Sequence, residues 1–466
     1  MFYAKLFSNE YMVKPSRRLG ELPTNREAYT AFILLAWPAM LESLFVCMAS
    51  FIDNMMVAGA SKTAIAAVGL TTQPRMLFYI PFFAIVGAVT AIVSRRYGEK
   101  NLEGANRCLA QATSIAALIA LLTLIVAFTI AEKLLLFAGA QPDTLPEALV
   151  YFKITIVGLM FTAFSNIINA AQRGTGRTRI TMRSSVTGNL LNIVLNYYLI
   201  GGVWIFPRLG VKGAAIATLI GNFTQFVISF CSLLLKSSDL HFCPRFLFAY
   251  EKTTLHAMLR VGSGAGAEQL LMRVGMFLFA KVVAELGTEA MTTHQICMNI
   301  INLSFACGDG LAAASAAMVG QNLGRKRPDL SLMYGKIAQR IAWIFSGMLF
   351  LLFSLGGRWL MQLFSQDETI IQTGVRVLIV VAFVSLTQSS QVVFTGSLRG
   401  AGDTAYNAVV SFFSIDIMRP LVAYFLCHVL GIGVLGAWFA LMLDQYVRFA
   451  CMTVHFYKGK WMKIKL

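Results

Sequence analysis

SIAALIALLTLIVAFTIA, residues 114–131, carries no charge, and its polarity does not alternate. A strand of a membrane barrel would show about 10 residues of alternating polarity. A helix needs about 20 apolar residues to cross the hydrocarbon core. The stretch is therefore read as a membrane-spanning helix, and runs of the same kind recur along the whole chain. Of 466 residues, 57% are hydrophobic and 13% charged, about half the charged share of a soluble domain. The fold class expected is an all-α integral membrane protein with no large soluble domain.

Twelve spans are expected, at about 31–57, 66–94, 105–131, 147–171, 180–205, 211–235, 253–284, 290–320, 334–361, 370–396, 405–429 and 433–456. The net charge is +17. Basic residues gather in cytoplasmic loops of membrane proteins, so this charge argues for topology rather than for nucleic acid. With both termini placed in the cytoplasm, most of the 39 Lys and Arg fall on the cytoplasmic side. The polar first 29 residues are not a cleavable signal. The eight cysteines are scattered without CxxC pairs and read as small apolar residues.

An internal repeat divides the chain. QRGTGRT (172–178) resembles LRGAGDT (398–404), with Arg173, Gly174, Gly176 and Thr178 matched to Arg399, Gly400, Gly402 and Thr404. The offset is 226 (173 to 399). Applied unchanged, it carries Gly98 to Gly324, Ala64 to Ala290 and Glu42 to Glu268. Two halves of six spans each enter the membrane the same way round, as parallel repeats with a substrate site expected between them. The expected organisation is a cytoplasmic segment 1–30, a lobe 31–236, a cytoplasmic linker 237–252, a second lobe 253–456 and a basic cytoplasmic tail 457–466.

Ionisable residues inside spans point to function. Glu42 and Asp53 lie 11 positions apart, about 1100° of helical rotation, so they share one face about 16 Å apart. A buried carboxylate can carry a proton or, with other oxygens, hold a hard monovalent cation. The alternative for Asp53 is a cap or hydrogen bond near the outer interface. Glu42 and its mate Glu268 suit cationic substrates in a shared cavity; the alternative is hydrogen bonding between helices. Arg273 can answer Glu268 or an acid on the outer side. Asn192 and Asn196, at i and i+4, and Thr218 could complete an oxygen site with Asp53, or could join helices as polar contacts. Asp416 with Arg419, and Asp444 with Arg448, are expected to pair. Pro38 can kink the first span. No GxxxxGK[ST] occurs, so this chain hydrolyses no ATP. No metal-spaced or catalytic cluster occurs either, and the chain is not read as an enzyme.

FIDNMMVAG (51–59), RGTGRT with RGAGDT, LGVKGAAIATLI (209–220) and the closing RFACMTVHFYKGKWMKIK (448–465) together resemble the multidrug and toxic compound extrusion (MATE) transporters. The resemblance runs from about residue 30 to the end. It implies a secondary antiporter that exports organic cations and amphipathic compounds against Na⁺ or H⁺ by alternating access, with no cofactor beyond the coupling ion. It matches Asp53 to the family's first-helix cation ligand, which makes Na⁺ at Asp53 a candidate. It also matches Asn192, Thr218 and Glu268 to family positions. Asn196 stands where several members have an Asp, and the acid that one branch carries in the tenth span is missing from VSLTQSSQVVFTGSLRG (384–400). A monomer in a bacterial plasma membrane is expected, with drug-like substrates and the bilayer as partners. A flippase for lipid-linked sugars, from the same superfamily, is the rival reading.

Overall fold

The computed structural model describes residues 8–58, 62–202, 207–235, 239–247, 250–464 and 466. Twelve long helical segments follow one another. They are α1 (Asn25–Ala58), α2 (Lys62–Gly98), α3 (Leu102–Phe137), α4 (Leu145–Gly174), α5 (Thr178–Gly201), α6 (Gly210–Ser232), α7 (Lys252–Ala284), α8 (Thr288–Gly324), α9 (Pro328–Leu355), α10 (Glu368–Ala401), α11 (Thr404–Val429) and α12 (Val434–Lys458). Each corresponds to one expected span. Nine of them are long and apolar enough to cross a membrane. The other three, α5, α7 and α12, carry polar and charged residues in their spans, among them Asn192, Asn196, Glu268, Arg273, Asp444 and Arg448. The chain is a multi-pass membrane protein. Its outward apolar residues, such as Leu118, Leu121 and Ile125 on α3, are exposed, as a lipid-facing surface requires.

The repeated motifs are turns. Gly176 has φ 91° and Gly402 φ 86°, in the breaks between α4 and α5 and between α10 and α11. This left-handed region favours glycine, which explains why both copies keep it. Lys100 and Lys326, also 226 apart, have φ 60° and 59° in the breaks after α2 and α8. Helix α3 then starts from Asn101, whose side chain accepts a hydrogen bond from the Gly104 N–H, a normal N-cap.

By contacts, the chain divides into two compact units, residues 41–259 and residues 1–40 with 260–466. The first residues of α1 belong to the second of these, and the first residues of α7 to the other. The change along α1 falls two residues after Pro38, which removes a backbone donor from the helix. Within unit 41–259, Val57, Tyr151, Ile200, Val211, Ala214 and Ala215 form one apolar cluster. In the other unit, one core is built on α7 to α12 around Phe279, Trp438 and Leu441. Helix α11 is not regular. Phe412–Met418 and Phe425–Val429 are π-helical. Pro420 has no N–H to give the preceding turn, and wider turns of this kind often mark functional positions.

Candidate cation site

In unit 41–259, Asp53 on α1 meets α5. Asn196 Nδ2 donates to Asp53 Oδ1 at 2.8 Å. With its amide turned so that nitrogen faces the acid, Asn192 donates to both Asp53 oxygens at 2.8 Å, and its carbonyl accepts from the Thr218 N–H at 3.1 Å. That orientation is the chemically sensible one, since two oxygens would otherwise face each other without a proton. The i,i+4 spacing on α5 puts both amides on one side, and Gly221 on α6 packs against Asn192, so α6 brings Thr218 close. Asn192 and Asn196 are buried, at 5% and 1% exposed, while Asp53 is half-buried. Asn196 Oδ1 is buried with no hydrogen-bond partner. One carboxylate and two amides thus converge, and Thr218 joins through Asn192. Both amide nitrogens point at the carboxylate, the one group here that takes a proton; Na⁺ would be held only with the amide oxygens turned inward.

Glu42, lower on the same face of α1, is held differently. Thr181 Oγ1 and Ser185 Oγ each donate to it at 2.8 Å, and Arg173 Nη1 lies at 3.4 Å. In the other unit, Glu268 is bound by Arg399 through Nη2 at 2.7 Å and Nε at 3.3 Å. Arg399 also feels the charge of Asp309. The repeat motif and the repeated acids therefore interact: each acid is bound by the arginine of its own RGxG motif. Arg273 is half-buried on α7, and Glu268 is held by Arg399.

The second unit can be compared position by position. Offset 226 sets Asp53 against Phe279. One extra residue in the π-helical stretch moves the offset to 227, which sets Asn192 against Arg419 and Asn196 against Ala423. Past the following break the offset is 223 (210 to 433): GVKGAAIA (210–217) and GVLGAWFA (433–440) align, setting Thr218 against Leu441. Phe279, Ala423 and Leu441 belong to one buried apolar cluster. The Arg419 guanidinium sits 5.6 Å from the Phe279 ring, a cation–π contact. Arg419 does not form its ion pair with Asp416, as expected from their shared turn. It reaches Asp444 on α12, which also takes Ser414 and, as expected, Arg448 at 3.2 Å. The wider turn of Phe412–Met418 rotates the following residues away from a simple i,i+3 pairing.

The same family description, MatE, matches the chain twice, at residues 38–198 and 265–425. The chain belongs to the MatE family. The two matches are offset by 227 (38 to 265), one from the motif offset, and together they cover most of the chain. Among similar proteins, the "Probable multidrug resistance protein NorM" of Thermotoga maritima is 27% identical over 435 residues, 92% of each chain. The "Uncharacterized transporter YisQ" of Bacillus subtilis is 28% identical over 421 residues, 89% of this chain and 91% of its own. A crystal structure of MATE in the straight conformation superposes with TM-score 0.86 at 22% identity, covering 93% of this chain and 95% of that one. The all-α MATE transporter fold expected from the sequence is therefore the fold observed.

Within this MATE chain, the structure brings Asp53, Asn192, Asn196 and Thr218 together. Glu42 and Glu268 lie elsewhere, each on an arginine. Sequence reasoning missed the partners Thr181, Ser185, Arg173 and Arg399. The signal for the two arginines was available, because they share the offset of the two acids. It also missed Arg419 as the counterpart of Asn192, which a constant offset hides behind one π-helical residue.

Proposed function

We propose that this MATE transporter is a multidrug exporter, as the names of its relatives suggest, and that it works by antiport of organic cations or amphipathic compounds against inward Na⁺ or H⁺. The observation that carries the reading is the convergence of Asn192 and Asn196 on Asp53, with Thr218 bonded to Asn192, within one unit. A coupling cation binds there from outside, and Asp53 supplies the charge. The cation favours the inward-facing state only as far as it binds that state better. Substrate, bound when the protein faces inward, leaves after the switch. Glu42, Glu268 and Arg273 are the proposed substrate residues. A cationic substrate reaching Glu42 or Glu268 competes with Arg173 or Arg399, so exchange of these ion pairs is part of recognition. The protein acts in a bacterial plasma membrane with both termini cytoplasmic, as a monomer of two lobes, 31–236 and 253–456.

The test is substrate uptake into vesicles with Na⁺ and pH gradients imposed separately, for the wild type and Asp53→Asn. One gradient should drive wild-type transport, and the variant should lose about 100-fold of that driven rate, as expected for removing the charged member of a buried group. Undiminished driven transport by Asp53→Asn would sink the site assignment. Arg419 and Arg448 sharing a single carboxylate favours the rival, a flippase with a cationic path for lipid pyrophosphates. Stimulation by lipid pyrophosphate with neither gradient required would select that reading.

A further inference from the structure

We propose that the cytoplasmic rim of unit 1–40/260–466 carries a binding site for the phosphodiester headgroup of an anionic membrane lipid, built from Lys14, Arg17, Lys336 and Arg340. The segment before α1 folds down onto α9. Met12 and Val13 are buried, at 1% and 0% exposed, in a cluster with Phe32 of α1 and Met333 and Ile337 of α9. Lys336 Nζ donates to the Met12 carbonyl at 2.6 Å and stands 4.7 Å from the Tyr457 ring. The docking brings cations together. The charges of Arg340, Arg17 and Lys14 all bear on Lys336. Arg17 lies beside Gly459, in the tail that also holds Lys458, Lys460 and Lys463.

A topology signal needs basic residues in a loop, not four cations drawn onto one docked surface. Like charges brought together repel, and three of the described acids nearby are already paired. Asp329 pairs with Arg327 at 2.9 Å, Asp403 meets His455 at 2.7 Å, and Glu27 accepts from the Thr24 N–H at 3.0 Å. Arg340 lies against Tyr29 and hydrogen-bonds it, while its buried Nη1 has no partner of its own. A bound anion would satisfy that donor and offset the repulsion.

The depth of the cluster identifies the anion. On α9 the outward apolar surface begins just after Arg340, with Trp343 43% and Ile344 52% exposed. On α1 it begins just after Tyr29, with Ile33 47% and Leu34 52% exposed. On α12 it ends at Val454 and Tyr457. The cations and the two tyrosines therefore stand at the edge of the lipid-facing belt, where headgroups lie and aromatic residues gather. Acyl chains can run along that belt while the phosphate meets the cations. Basic sites of this kind on the cytoplasmic side recognise anionic lipids.

The experiment measures binding of phosphatidylglycerol and phosphatidylcholine to the purified full-length protein by native mass spectrometry. The wild type should prefer phosphatidylglycerol by about tenfold or more, at roughly the strength of several cations near a lipid surface. Lys336→Gln with Arg340→Gln should bring the preference close to one. Lys14→Gln with Arg17→Gln, on the surface segment and tolerant of change, should reduce it severalfold. Arg325→Gln with Lys326→Gln, equally basic but outside the cluster, should leave it unchanged. The proposal is overturned if both cluster variants keep the wild-type preference. It is also overturned if the Arg325/Lys326 variant loses as much, or if millimolar inorganic phosphate abolishes the preference, which would mean a site for free phosphate.

Discussion

The two units solve one structural position in opposite ways. In unit 41–259, Asp53, Asn192, Asn196 and Thr218 form a polar site with one negative charge. At the matched positions the other unit has Phe279, Arg419, Ala423 and Leu441, three apolar residues and a cation. At that position the second unit places a guanidinium over the ring that replaces the acid. A polar site with a carboxylate and an apolar site with two arginines on one carboxylate have been made from one duplicated frame. The repeat is preserved in its turns and in its Glu–Arg pairs, and broken at the position of Asp53.

The sharpest way to break the comparison is at the apolar site. Asp444→Asn leaves Arg419 and Arg448 buried without a counter-charge, and uncompensated buried charge costs about 3–5 kcal/mol. Thermal unfolding in detergent should show a large loss of stability. Arg419→Met should cost clearly less, because Asp444 keeps Arg448 at 3.2 Å. Equal losses would mean that Asp444 is not the shared partner.

At the polar site, Asn196→Asp adds a second carboxylate beside Asp53, where Asn196 now donates at 2.8 Å. Charge count tunes the affinity of oxygen sites. The variant should bind Na⁺ about tenfold more tightly, read by isothermal titration, and transport should depend more steeply on Na⁺. Unchanged affinity would place the coupling ion away from Asn196.

The smallest effects concern the shared Glu–Arg pairs. Glu268→Gln removes the charge and one of the two oxygens that accept from Arg399, at 2.7 and 3.3 Å, and should cost about 2–3 kcal/mol in unfolding free energy. Glu42→Gln keeps partners in Thr181 and Ser185 and loses only a pair at 3.4 Å, so about 1 kcal/mol is expected. The reverse order would show that the two pairs are not equivalent supports.

Much of this was legible before any coordinates. Helix number, the duplication and the position of Asp53 follow from hydropathy and spacing, because a bilayer leaves a chain few options besides apolar helices. RGTG and RGAG could be matched because glycine is demanded by a local backbone angle, which acts through sequence alone. The side-chain partners were not legible to the same degree. Asp416 and Arg419 looked paired by proximity in sequence, yet Arg419 pairs with Asp444 some 25 residues on. A single π-helical residue also shifted the register by one and concealed that Asn192 and Arg419 are counterparts.

The sequence by itself determined a duplicated, membrane-spanning helical chain with an acid in its first span that has no mate. It did so because burial in lipid and the geometry of tight turns are local demands on residue type. Only the tertiary structure decided which arginine neutralises which acid, that Asn196 and Asn192 close on Asp53, and that the second copy of the site is filled by Arg419. Those outcomes depend on how helices distant in sequence rotate against one another, and no short-range pattern encodes that rotation.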